Sequence, residues 1–252
     1  MRFDGRKFNE LRKTTIERNY LKYPEGSVLI SQGNTKIIVT ASILESVPRF
    51  LVDKGTGWIT AEYAMLPRAT QTRNQRDTNR GRSQEIQRLI GRSLRAAFNY
   101  EKLGERTIRV DCDVIQADGG TRCAAITGAF VAVFDAMNYL YNQQLLYDFP
   151  DYKVLAAISL GIKKNQILLD LNYGEDSKVD VDLNLVMNEN SEIIEVQGTA
   201  EGAPFSKNQL NEIIELGEKG VLELIQIQKK NIEYIVVLLL YIIQYYLMSF
   251  YS

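Results

Sequence analysis

The chain has 252 residues, 45% of them hydrophobic and 24% charged, with a formal net charge of −1. That balance suits a soluble fold whose core needs neither disulfides nor a structural metal. There is no histidine, which excludes Ser-His-Asp and Cys-His catalysis and every histidine-ligated metal site. Any chemistry must rest on carboxylates, arginine or lysine, hydroxyls, backbone dipoles or an oxygen-ligated cation.

Cys112 and Cys123 lack metal-ligand spacing and are expected as small core residues rather than a disulfide. Met1–Glu10 is charged from the start and carries no apolar signal region, so a cytoplasmic setting is expected. With so small a net charge, a nucleic-acid partner requires a local basic cluster. One runs from Arg68 to Arg95 and holds Arg68, Arg73, Arg76, Arg80, Arg82, Arg88, Arg92 and Arg95 against Asp77 and Glu85.

In chain order, Gly26–Ser31 and Lys36–Ser42 read as strands joined by a turn at Gly33-Asn34, and Gly57–Tyr63 as a further strand. Pro67–Arg82 is polar and without period, a long loop of the kind that carries function. Ser83–Phe98 has Ile86, Leu89, Ile90, Leu94, Ala97 and Phe98 at helical spacing, with Ser83 as the expected cap. Its arginines Arg88, Arg92 and Arg95 fit a solvated face. Thr107–Val114 alternates as a strand, and Gln116–Arg122 turns into an apolar run, Ala124–Leu140, that reads as a buried helix. Strands at Val154–Ile162, Gln166–Leu171, Val179–Met187 and Glu192–Gln197 follow, then a helix over Ser206–Asn231. Strands followed by a helix, twice over, predict an α+β fold of two similar halves.

Two constellations permit chemistry. The turn Gly119-Gly120 opens a helix near Thr121, where free N–H groups, a hydroxyl and the planar fork of Arg122 suit an anion. An ordinary strand–helix turn with a surface arginine is the plainer alternative. Arg82, at the start of the preceding helix, offers a second fork in a place that disfavours a cation unless an anion is near. On Val179–Met187, Asp180, Asp182 and Asn184 share the face opposite the apolar residues, with Asp176 just before them. Such carboxylates hold a hard cation or move protons; a solvent-facing strand gives the same pattern.

Several longer stretches resemble the ribonuclease PH family. They are Asp4-Gly5-Arg6, Val47-Pro48-Arg49-Phe50, Met65-Leu66-Pro67-Arg68-Ala69-Thr70 and Gln84 to Arg92. Asp111 to Arg122, Leu169-Asp170-Leu171-Asn172-Tyr173 and Glu195-Val196-Gln197-Gly198-Thr199 continue the match. They run in order from Met1 to about Asn231. The resemblance implies paired β-α-β-type halves, assembly as a hexameric ring and phosphate-dependent shortening of RNA from its 3′ end. The released product is a nucleoside 5′-diphosphate, and precursor tRNA is the expected substrate.

By the same resemblance, Arg82, Gly120, Thr121 and Arg122 bind phosphate. Asp176 and Asp182 are the catalytic or Mg²⁺-associated carboxylates, and Arg68, Arg73 and Arg76 hold RNA. A catalytically inactive RNA-binding ring subunit is the alternative. The loop between Arg73 and Arg82 is shorter than the family's, which puts RNA grip in question.

Residues 1–231 thus form the expected catalytic domain, and 232–252 a foreign apolar tail with Glu233 its one charge. The tail is long enough for a membrane anchor, but it also suits a buried helix or an out-of-frame end. The last fits best, since the amphipathic pattern stops abruptly and no family role calls for a membrane.

Overall fold

A computed structural model describes Arg2, residues 4–75 and residues 81–250, with only the helical backbone given for 233–250. Arg76 and the side chains of the apolar tail therefore lie outside the described residues. The fold is mixed α+β with two sheets, and the expected strands and helices occur in chain order together with a first strand and a short helix that the sequence pattern did not mark.

The first sheet contains β1 (Thr14–Arg18), β2 (Gly26–Gln32), β3 (Thr35–Leu44), β4 (Trp58–Met65) and β5 (Thr107–Gln116), ordered β1-β2-β3-β5-β4. β1 escapes the sequence pattern because Ile16 is its one buried side chain; pairing with β2, not burial, defines it. β4 runs parallel to β5, and the crossover between them is α1 (Gly81–Ala97). α1 begins two residues before the expected start, so Ser83 lies within its first turn. Polar residues at a helix entry add no apolar period, which blurs that boundary.

β5 leads through the glycine turn into α2 (Thr121–Asn142), whose residues from Cys123 to Met137 are all buried. An all-round apolar helix of this kind belongs in a core, and α2 packs on β2 and β3 on one side and on β6 on the other. It is also the one helix among the described residues long and apolar enough to cross a membrane, and it is buried in the protein.

The second sheet, β7-β6-β8-β9, contains β6 (Leu155–Lys163), β7 (Gln166–Leu169), β8 (Val181–Asn188) and β9 (Ile193–Ala200). The four-residue helix α3 (Tyr173–Asp176) sits between β7 and β8, fixed by a capping box between Asn172 and Glu175. α4 (Lys207–Phe250) covers this sheet. Buried Gln228 of α4 donates to the carbonyls of Thr127 and Leu155, both at 2.9 Å, and so ties α4 to α2 and β6. Ile232, at the junction with the apolar tail, is part of the main core.

Cys112 and Cys123 are buried and unpaired. Trp58 packs edge-on against Phe50 and Tyr100. Arg95 departs from the expected solvated face: its guanidinium lies 4.3 Å from the Trp58 ring centre and donates to the Ile59 carbonyl at 2.8 Å.

Candidate active site

A cleft of about 1110 Å³ opens where the two sheets meet, and Arg82, Gly120, Thr121, Arg122, Asp176 and Asp182 all line it. Residues distant in sequence therefore converge on one site. Thr70, Gln71, Thr72, Asn74 and Gln75 of the basic loop form part of its rim. Arg68 and Arg73 are exposed on the same loop without lining the cleft.

The glycine turn explains the convergence. Gly119 and Gly120 have φ values of +76° and +64°, a region costly for other residues. A Cβ on Gly119 would lie 2.5 Å from the Leu171 carbonyl oxygen, so the backbone that opens α2 packs directly against the segment that carries Asp176. The turn's carbonyls point away from the cleft. That of Asp118 accepts from Arg12 Nη1 at 2.5 Å, and that of Gly119 from the Thr35 hydroxyl at 2.7 Å. The opening N–H groups of α2, which have no acceptor inside the helix, are left for a ligand.

Arg12 was not singled out in the sequence, yet it holds both walls. Besides the turn, it binds Asp170, which is fully buried. Arg2 braces the next segment, pairing with buried Glu175 and donating to the carbonyls of Leu169 at 2.6 Å and Asp170 at 2.8 Å. The segment before β1 thus clamps the loop from β7 through α3.

Arg122 donates through Nη1 to Gln197 at 2.9 Å, and Gln197 donates to Glu85 at 2.7 Å. This relay joins the starts of α2 and α1 through β9. Arg92 and Glu195 add a second link between α1 and β9, at 2.8 Å.

The carboxylate face of β8 is not the solvent-facing surface its pattern also allowed. Asn184 is 6% exposed and accepts from the Cys123 thiol at 3.1 Å, because this face packs on the start of α2. Asp182 remains at the cleft, and its Oδ1 is buried without a hydrogen-bond donor among the described residues. Asp180 departs from this face: it precedes β8, and its Oδ2 accepts from the Lys164 backbone N–H at the β6–β7 turn.

Burial, then the like charge of Asp176, push the Asp182 carboxyl up to about 6, against the opposing pull of Arg122. Burial likewise raises Asp176, with Arg122 and Arg82 opposing. Each carboxylate therefore feels Arg122 and Arg82 across the cleft.

The pair suits a hard cation. Mg²⁺ is commonly held by one or two carboxylates together with substrate phosphates, and no hydrogen-bond donor among the described residues competes for the Asp182 Oδ1. Among the described residues no larger group of acidic or sulfur side chains could hold a metal by itself. Tyr63 and Glu201 also line the cleft without having been expected there; nothing in their local sequence marks them.

Two sheets are thus joined around a buried helix, with a cleft that sets Arg82 and Arg122 opposite the paired carboxylates Asp176 and Asp182. Family models described as the 3′ exoribonuclease family match here, domain 1 over residues 10–137 and domain 2 over residues 153–220. The chain belongs to this 3′ exoribonuclease family.

Solved structures agree on the fold. Rrp46 from rice (Oryza sativa) is 20% identical with a TM-score of 0.75, covering 91% of this chain and 99% of that one. A chain of the Archaeoglobus fulgidus exosome with RNA bound to the active site is 23% identical with a TM-score of 0.76, covering 88% and 91%. A chain of an archaeal exosome core is 22% identical with a TM-score of 0.74, covering 90% and 91%.

Proposed function

We propose that the protein is a phosphate-dependent 3′-to-5′ exoribonuclease that trims precursor tRNA and other RNA and releases nucleoside 5′-diphosphates. The observation that carries this reading is the union, in one cleft, of Arg82, Gly120, Thr121 and Arg122 with Asp176 and Asp182.

Inorganic phosphate would be the nucleophile, so the site needs no histidine. Its tasks are to offset the repulsion between two anions and to hold the attack in line. Arg82 and Arg122 lower that repulsion, and the start of α2 with the Thr121 hydroxyl orients the attacking phosphate. Asp176 and Asp182 would hold Mg²⁺, which when bound supplies charge stabilisation at the scissile phosphate and leaving oxygen. Arg68, Arg73 and Arg76 would grip the RNA body through its phosphates.

Assembly as a hexameric ring and a cytoplasmic location complete the proposal; the free, buried thiols suit a reducing compartment. A second reading, a ring subunit that binds RNA without cleaving it, draws on the likeness to chains of an exosome core.

Incubating the protein with a 3′-hydroxyl RNA, Mg²⁺ and phosphate separates the two. Phosphate-dependent release of nucleoside 5′-diphosphates is the expected result. RNA binding without release would favour the second reading.

A further inference from the structure

Tyr63 is 4% exposed, at the β4 wall of the cleft. Its Oη donates to the Thr121 hydroxyl at 2.8 Å. The ring is rigidly seated, because Tyr63 belongs to the main core and its backbone stands opposite Cys112 in the parallel β4–β5 pair.

A threonine hydroxyl has one proton and two lone pairs. Once a phenol donates to one of those lone pairs, the threonine proton cannot also point at the phenol. Among the described residues the Thr121 hydroxyl has no acceptor for that proton, so the cleft is where it points. Accepting one hydrogen bond also polarises the hydroxyl and makes it a better donor. Burial pushes the phenol's pKa above its ordinary value, against the pull of its hydrogen bond with Thr121, so the phenol keeps the proton that it donates. A fixed outward donor beside two arginines suits a ligand that only accepts, an oxyanion.

We infer that Tyr63 is a positioning residue for inorganic phosphate, holding the Thr121 hydroxyl so that its proton faces the bound anion. The inference deepens the phosphorolytic reading and rests on it. It also gives β4, whose end leads into the basic loop, a direct link to the anion site.

Tyr63→Phe removes one oxygen and keeps the ring that packs. The full-length protein carrying it should need about three- to tenfold more phosphate for half-maximal phosphorolysis, the size of one lost hydrogen bond. Turnover at saturating phosphate and the KM for RNA should stay near wild type. Tyr63→Met, which also lacks the hydroxyl, should show the same shift and serves if the first variant folds poorly. In a Thr121→Val background, Tyr63→Phe should add nothing to the phosphate KM, whereas a merely structural role would add to it.

Calorimetric titration with inorganic phosphate runs beside the assay. If the wild type phosphorolyses RNA and the phosphate KM does not move in either variant, the inference is overturned while the proposed function stands. If the wild type does not phosphorolyse RNA, that function fails, and phosphate binding decides: weaker binding by the variants supports the inference. Equal binding, or none by the wild type, overturns it.

Discussion

Arg12 grips Asp170 through its own backbone N–H at 2.7 Å, its Nε at 3.1 Å and its Nη2 at 2.7 Å, with both residues buried. This pair fastens the segment before β1 to the loop after β7, and the remaining guanidinium donors reach the Gly119-Gly120 turn. Removing one partner strips a buried charge of its main compensation, even though Arg6 lies 3.5 Å from Asp170. Arg12→Ala or Asp170→Asn should therefore cost about 3–5 kcal/mol of stability, read as a lowered midpoint in urea unfolding. A loss below about 1 kcal/mol, within the range of surface pairs, would show that the clamp is solvated in solution.

Arg82→Ala and Arg122→Ala should each remove most phosphorolysis at limiting phosphate. Each change deletes charge-assisted hydrogen bonds worth roughly 1.5–3 kcal/mol, which corresponds to about a ten- to 150-fold loss. RNA affinity in phosphate-free buffer should fall much less. Wild-type rates from both variants would remove the arginines from the anion site.

Asp182→Asn should cripple turnover and weaken its Mg²⁺ dependence, while Asp180→Asn, whose carboxylate caps the β6–β7 turn, should leave turnover closer to wild type. The same substitution should act oppositely on stability. The folded carboxyl, at about 6, lies above its ordinary 3.8, so the folded state holds the proton more tightly than the unfolded chain. Stability from this group is thus present below the ordinary value and is lost as pH rises towards 6. In Mg²⁺-free buffer, Asp182→Asn should melt higher than wild type at about pH 7.5, with the gap narrowing by about pH 5. A gap independent of pH would contradict the assignment.

Arg68, Arg73 and Arg76 should bind RNA through phosphates. Changing all three to alanine should weaken tRNA binding and reduce the slope of log K against log salt by about 2. Short RNA 3′ ends should still be degraded at near wild-type rates. An unchanged slope in filter binding would place the RNA elsewhere.

Much of the fold was legible because β5 and α1 carry strong periodic patterns, α2 is a continuous apolar run, and the glycine turn stands out locally. Arg82, Gly120, Thr121, Arg122 and Asp182 were named by the family resemblance, and the fold brings them to one cleft. Arg12, Tyr63 and Glu201 were not named, since each acquires its place only when distant segments meet: Arg12 at Asp170, Tyr63 at Thr121. Arg95 was misplaced for a related reason, because helical spacing reports a face but not that Trp58 of a neighbouring strand lies beneath it. The face of β8 bearing Asn184 was left open between a site and a solvated surface, since alternation alone does not reveal that α2 covers it.

The contact between Gly119 and Leu171 makes the glycine turn and the helix carrying Asp176 one mechanical body. A methyl group at position 119 has no space to occupy, and the Leu171–Tyr173 backbone that must yield to it leads straight to Asp176. Damage at this glycine would therefore spread to the opposite wall of the cleft, where Asp176 stands. The tolerance of this position to change is set by both halves of the chain at once.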